Sequence, residues 1–567
     1  MTHRSTPSSL CSIKQQKIGY RIAPTHYHPI TINTDYQSLA SWIIQQPIVV
    51  IDGYTGVDWE GIQSALSDIL TEQGIRFKWY DIGKLQKSTA VLEQQLAPFM
   101  GGDAHWGSIC PLGMADLYPQ TNLHLHPDFD QHIIIGPGAA LFHTSAPVIY
   151  AEHSKLTLDL SDPEAFKRFY YIDRVIYNEH KAAIRDRIKI MIDATSVSRP
   201  AWVWRKELNA AIDQLLTQPI RLLPWFAPGP WGGQWLKAKI DGLPQSVPNY
   251  AWGFELVAPE SMLLIDNGKA TFGLPFEWLM YDWQQAILGR HAAIFGSYFP
   301  IRFDFLDTID GGHLSIQCHP SQKFIQKQYN EPIAQDETYY ILEAAPGATV
   351  FLGLRPGVDT GLFRQELTES AATNKPVAIG DFVQEHPSAK HDLFLIPNGA
   401  VHSAGKGNLV LEISATPYLY TFKMYDWLRP NLDGELRPIS IEEAFANLRP
   451  GYTSEELVAR PRTVETGNDW QITELPTHPQ HFYNIRRLEF DSSIEVTTDN
   501  RCLMMILVEG ESIRANGAVY NYLESFVNPA AVSRVTLTNN GSTRAYVLMV
   551  TLKDDHPVYH RLPPVIM

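Results

Sequence analysis

The chain has 567 residues, too many for one hydrophobic core, so about three domains are expected. Its formal charge of −15 argues against general affinity for nucleic acid, which needs a basic face, but leaves open a small anion held in a local cationic pocket. With 44% apolar and 19% charged residues the composition is that of an ordinary folded protein, and no window approaches about 18 uninterrupted apolar residues, so no membrane span is expected.

Residues 1–34 are polar and weakly patterned and read as an N-terminal arm. The opening stretch MTHRSTPSSLCSIKQQK lacks the apolar run of a signal peptide. Cys11, Cys110, Cys318 and Cys502 stand apart without CxxC spacing, which points to a reducing compartment. A cytoplasmic protein is therefore expected.

Residues 35–220 read as an α/β domain with a parallel sheet. The strand candidates end the run IIQQPIVVID and continue at Arg76–Asp81, His132–Ile135, Pro147–Ala151 and IKIMIDAT. Between them Ile62, Leu66 and Ile69 repeat at helical spacing, and a helical stretch is expected from Pro163 to Arg187. The basic run Lys181, Arg185, Arg187 and Lys189 reads as a solvated helix face. The strand, Gly-containing loop and helix of VVIDGYTGVDWEGIQSAL resemble a P-loop kinase of the uridine-kinase or nucleotide-kinase kind. A working phosphate loop needs a lysine for the terminal phosphates, whereas this loop offers Asp52, Gly53, Gly56 and Asp58. The resemblance therefore implies a kinase-like fold without kinase activity.

Pro and Gly punctuate Leu222–Gly233, which marks a boundary. Residues 221–462 then show many short strands with turn signals, LSIQCHP, TYYILEA, TVFLGL, DLFLIP and NLVLEI, interrupted by helices at Phe276–Leu288 and Ser440–Leu448. This is the rhythm of an antiparallel sandwich or barrel. Residues 463–567 form a last β-rich domain, with RCLMMILVEGESI and RAYVLMVTL as strand candidates. The expected fold class is thus multidomain, α/β followed by mainly β.

The densest chemistry lies in the middle domain. Gln317 and His319 sit two apart in SIQCHP, so a strand would place both side chains on one face. Glu337 opens another strand, and His402 follows a Pro-Gly turn in PNGAVHSAGKG. Two imidazoles, a carboxylate and an amide oxygen suit Zn²⁺ in an open site, one ion per chain. Pro397, Gly399 and His402 give P-x-G-x-x-H, which resembles the second metal motif of cupins.

Trp231-Gly232-Gly233, LSIQCHP, DETYYILEAAPGATVFLGL, LFLIPNGAVHSAGKGNLVLEI and TFKMYDWLR together resemble the class I mannose-6-phosphate isomerases, over roughly residues 222–460 and more faintly the tail. That resemblance implies cupin (jelly-roll) domains and zinc held by Gln317, His319, Glu337 and His402. It implies interconversion of mannose 6-phosphate and fructose 6-phosphate, or of a related sugar, through an enediol. It also implies Glu412 as a base or its orienter and Ser315 near the phosphate. Two positions depart from the family pattern. Lys423 stands where the family carries an arginine, keeping charge but not the planar fork, with Arg429 close enough in sequence to substitute. Asp304 stands where the family carries a lysine, and Arg302 would face the same side of that strand. The implied partner is a small sugar phosphate, with homo-oligomerisation left open. A metal-retaining cupin that binds a sugar without turning it over is the alternative reading, and an active kinase part is a third.

Overall fold

The computed structural model describes residues 17–102, 106–158, 162–415, 420–452 and 454–562; Cys11 and the rest of the first 16 residues lie outside the described part. Cys110, Cys318 and Cys502 are buried free thiols.

The first unit is built on six strands, Ile48–Gly53, Phe77–Asp81, Gln131–Ile135, Val148–Glu152, Ile188–Asp193 and Ala201–Trp204. Their spatial order is second, third, first, fourth, fifth, sixth. The first five run parallel and the last pairs antiparallel. The β-branched runs explain the sheet, because parallel strands covered on both faces need apolar side chains on both. Val49, Ile51, Ile133 and Ile135 face the helices Tyr36–Ile43 and Trp59–Glu72, while Val50, Ile134 and Tyr150 face the main core. Ile62, Leu66 and Leu70 form the buried stripe of the second helix, one residue later than the spacing through Ile69 suggests. Asp58 caps that helix by accepting from the Gly61 N–H at 2.8 Å.

A continuous helical stretch does run through Pro163–Arg168, Phe169–Asp173, Arg174–Ile184 and Arg185–Arg187, as the spacing predicts. Its basic run is solvated only in part, with Lys189 exposed and Arg185 half-buried. Lys181 is fully buried, 3.0 Å from Glu152 and ringed by Tyr54, Tyr150 and Trp278 at 4.9–6.0 Å. Arg187 donates to the carbonyls of Ala140 and His143. The helix is covered by its own sheet on one side and by residues of the next unit, such as Trp278, on the other; helical charge spacing does not encode that second covering.

The middle unit consists of two facing sheets. The six-stranded sheet has the order Leu393–Ile396, Asp336–Ala344, Asn408–Ala415, Ile301–Asp307, Trp252–Leu256, Trp225–Ala227. The five-stranded sheet has the order Val383–Pro387, Thr349–Leu354, His402–Ala404, Ile316–Cys318, Phe422–Tyr425. Leu306, Tyr339 and Ile341 from the first sheet pack with Val350, Leu352 and Ala404 from the second. The Pro/Gly-rich stretch contributes an edge strand, Trp225–Ala227, to this unit. The helices expected at Phe276–Leu288 are Phe276–Asp282 and Gln284–Leu288. The last unit is again two sheets, of six and four strands.

The three units share one continuous core, in which Tyr171, Trp278, Phe303, Tyr483 and Val550 all take part. The arm fastens them further. His26–Tyr27 pairs in parallel with Met262–Asp266, and the Arg21 guanidinium bonds Glu524. Buried Arg221 stands 2.7 Å from Glu524 and 3.5 Å from Glu255, which also accepts from the Tyr20 hydroxyl.

Candidate metal centre

The ligand candidates come from both facing sheets. Gln317 and His402 are direct cross-strand partners in the five-stranded sheet, so they share a face. His319 follows one residue past that strand, on the same side by the two-residue period. Glu337 lies on the facing sheet, paired with Ser414 and Ile396. The turn that delivers His402 is fixed by its own sequence. Ala400 N–H bonds the Pro397 carbonyl, Gly399 N–H bonds the His319 carbonyl, and Asn398 donates twice to Asp336. Gly399 has φ +85°, and a Cβ there would stand 2.8 Å from the Asn447 carbonyl and the Arg449 side chain, so this position requires glycine.

His319, Glu337 and His402 bring one ligand atom each within 4.8 Å of one another. All three are buried. His402 Nε2 is 2.9 Å from Glu337 Oε1, and His319 Nε2 is 3.1 Å from Oε2. The opposite ring nitrogens are occupied. His319 Nδ1 donates to the Tyr420 carbonyl at 3.0 Å, and His402 Nδ1 donates to the Ala400 carbonyl at 2.9 Å. Each imidazole is thereby held in the tautomer that turns an Nε2 lone pair inward, as metal-bound histidines are. His319 Nε2 and Glu337 Oε1 are buried yet lack an aligned hydrogen bond, an arrangement that costs free energy unless a ligand completes it. Burial pushes the Glu337 carboxyl up, but the positive charge of the two imidazoles when protonated outweighs it and holds the group well below the usual carboxylate range.

Gln317 completes the set with its amide Nε2 3.2 Å from His402 Nε2 and its Oε1 accepting from Ser315 Oγ at 2.9 Å. A half-turn of the amide brings Oε1 inward, and the Ser315 hydroxyl then accepts instead of donating. The donor set of two imidazole nitrogens, one carboxylate and one amide oxygen therefore fits a divalent cation of the zinc class. Ser315 itself is buried and engaged with Gln317.

Beside this group lies a second polar cluster on the six-stranded sheet. Arg302, Ser414 and Glu337 form one cross-strand row, and Asp304, Glu412 and Tyr339 form the next. Arg302 Nη2 donates to Glu412 Oε1 at 2.7 Å, and its Nε is 3.0 Å from Asp304 Oδ1. Ser414 Oγ also donates to Glu412. Burial pushes the Glu412 carboxyl well above the usual range, reinforced by Asp304 and Glu337 and opposed by Arg302. The same burial pushes Asp304 up to about 6.

Lys423 is half-buried and stands in register with Gln317, on the strand next to it. Arg429 is committed elsewhere, donating to the His313 carbonyl at 2.8 Å and to Asp426 at 2.7 Å. Ser414 and Tyr339 join this cluster without being among the candidates named from the sequence. Ser414 had a signal, because LVLEISA alternates and places it on the same face as Glu412. The Tyr420 carbonyl had none, since it meets His319 across 101 residues.

A family model described as "Domain of unknown function (DUF8485)" matches residues 35–161 and 157–217. Mannose-6-phosphate isomerase ManA of Bacillus subtilis (strain 168) is 22% identical over 304 residues, covering 53% of this chain and 89% of that protein. The mannose-6-phosphate isomerase of Streptococcus mutans serotype c is 23% identical over 289 residues, 50% of this chain and 82% of that protein. The probable mannose-6-phosphate isomerase GmuF of Bacillus subtilis is 27% identical over 258 residues, 45% and 75% respectively. Among solved structures, the Bacillus subtilis mannose 6-phosphate isomerase aligns with a TM-score of 0.47 at 19% identity, over 59% of this chain and 99% of its own. The chain is thus homologous to proteins named mannose-6-phosphate isomerases over about half its length.

Proposed function

We propose that this chain is a metal-dependent aldose–ketose isomerase that interconverts mannose 6-phosphate and fructose 6-phosphate, or a closely related sugar pair, through an enediol. The observation that carries the reading is the convergence of His319, Glu337 and His402 from two facing sheets, with one inward nitrogen, His319 Nε2, and one carboxylate oxygen, Glu337 Oε1, left unbonded. Gln317, His319, Glu337 and His402 would hold one zinc ion, which when bound supplies Lewis-acid stabilisation of negative charge developing on the sugar oxygens. The proton that moves between neighbouring carbons falls to Glu412, whose elevated carboxyl is suited to keeping a proton once taken. Arg302 and Ser414 orient that carboxylate. Lys423, in register with Gln317, is the cation assigned to the substrate on the opposite sheet. Ser315 supports Gln317 and is near enough to the ligand set to meet a sugar oxygen. Arg429, held by Asp426, is left with a supporting role.

The α/β unit is read as kinase-like without kinase activity. Its parallel strand order supports the likeness. The loop chemistry supports the loss: Asp58 is consumed as a helix cap, and a Cβ at Gly56 would already stand 2.6 Å from Leu158. The runner-up reading, sugar binding without turnover, draws on the ion pairs that Arg302 makes with both Asp304 and Glu412, which occupy the proposed base. The deciding experiment supplies zinc and mannose 6-phosphate and assays fructose 6-phosphate. Turnover that a chelator and His402→Ala each reduce by more than about a hundredfold is expected. Sugar binding with no turnover by the zinc-loaded protein would replace the isomerase reading with the runner-up.

A further inference from the structure

A cavity lies where the α/β unit meets the middle unit, and its lining joins side chains from both. Arg174 comes from the helix Arg174–Ile184, Ser297 and Tyr298 from the loop ahead of the Ile301–Asp307 strand, and Arg302 from that strand itself. Arg302 also donates to Glu412, so a residue that lines the cavity belongs to the polar cluster beside the ligand set.

Two groups at this cavity have hydrogen-bonding capacity that the protein does not use. Arg174 Nε and the Tyr298 hydroxyl are buried atoms without a hydrogen-bond partner. The side chain of Arg174 is 13% exposed and that of Arg302 7%, so neither is well hydrated. One carboxylate, Glu277, also lines the cavity, but it is taken up by Lys155, Arg174 and Asn178. Lys155 and Arg174 face Glu277 and, close by, the buried Glu260, whose carboxyl burial pushes above its ordinary range. Burial likewise pushes nearby Glu331 up to about 8, against a smaller opposing pull from Arg174, which favours its uncharged form. The cavity measures about 30 Å³. That is room for about two or three water-sized groups at 10–15 Å³ each, comparable to the terminal oxygens of one phosphoryl group. Ser297 is exposed, so the cavity has a route to solvent.

We infer that this cavity is an anion subsite for the phosphate monoester of the substrate, and that the α/β unit completes it by supplying Arg174 opposite Arg302. The inference rests on the sugar-phosphate reading above and extends it to a residue outside the region of isomerase-like motifs. Arginine suits the task, because its planar fork bonds phosphate through two parallel N–H groups. The arrangement gives the α/β unit a role that its own loop does not provide.

The test is calorimetric titration of the zinc-loaded full chain with mannose 6-phosphate, inorganic phosphate and mannose. Arg174→Gln is expected to weaken both phosphate-bearing ligands by about tenfold to a hundredfold, the range of hydrogen bonds to charged groups, and to leave mannose unchanged. Tyr298→Phe, which removes one hydroxyl and disturbs packing least, is expected to weaken them by about twofold to tenfold. If Arg174→Gln does not fold, the Tyr298→Phe result decides alone. Unaltered phosphate affinity in a folded variant, or no phosphate binding by the parent chain, overturns the subsite. Binding is read without turnover, so the two readings fail separately. Arg174-dependent phosphate binding in a chain that never isomerises removes the isomerase and keeps the subsite. Isomerisation with a KM indifferent to Arg174 does the reverse.

Discussion

Two buried carboxylates, Glu337 in the middle unit and Asp52 in the α/β unit, are both flanked by histidine and both end up in opposite conditions. Asp52 accepts from the N–H groups of Gly53, Gly138 and Ala140 at 2.7–3.0 Å and pairs with His180 Nε2 at 2.8 Å. Its lone pairs are used by the protein itself. Glu337 has two histidines and a glutamine amide around it, yet Oε1 and the facing His319 Nε2 lack an aligned hydrogen bond. Residue type and burial are nearly the same at the two places. What separates them is whether the polar atoms are already satisfied, and that is the physical mark of a structural carboxylate against one arranged for a ligand.

The comparison breaks most visibly at Glu412, the proposed base. Glu412→Gln keeps the shape and the bond from Arg302 but cannot take a proton. A fall in kcat of about 10²–10⁴ is expected, with zinc content by mass spectrometry unchanged. Metal loss in that variant would make Glu412 a structural carboxylate like Asp52. The next effect in size belongs to Asp52. Asp52→Ala strands His180 and three N–H groups, and a loss of about 3–5 kcal/mol in denaturant unfolding is expected, with kcat of the folded protein intact. A selective loss of kcat at full stability would show that the α/β unit holds chemistry of its own. The smallest effect sharpens the boundary between the units. Glu331 has a folded value of about 8 against 4.5 ordinarily. Between those values the folded chain holds a proton that the unfolded chain lacks, so this group's stabilisation is complete at low pH and is lost as pH rises to about 8. Glu331→Gln should therefore match the parent near pH 5 and exceed it in thermal midpoint by roughly 2–4 °C at pH 8. A variant advantage that is the same at both pH values would place the Glu331 carboxyl in its ordinary range.

The convergence of His319, Glu337 and His402 was legible because its cues are local. Gln317 and His319 share a face by strand period, and the Pro-Gly turn before His402 has a recognisable sequence. The parallel sheet of the first unit was legible for the same reason, in runs such as IVVI and HIII bounded by turns. What escaped depends on which faces of separate units meet. Lys181 carries the spacing of a solvated helix but is enclosed by Trp278 from the next unit. Arg174 has no local neighbour that hints at Arg302, 128 positions along the chain, yet both line one cavity. Tyr420 is joined to His319 through its carbonyl, while its ring stacks on Tyr329 at 4.9 Å and meets Tyr171 of the α/β unit at 6.0 Å. Main-chain partners of this kind leave no trace in residue identity.

The clasp between Arg21 and Glu524 carries a consequence for biosynthesis. The two residues are 503 positions apart, so the arm is made long before the residue that fastens it. At about 5–20 residues per second the arm waits roughly 25–100 s for its partner, long enough for the α/β unit to fold first. Arg221 and Glu255 pair during that interval, before Glu524 joins Arg221 and Arg21. A nascent chain stalled short of Glu524 has its arm paired through His26–Tyr27 but lacks this last clasp.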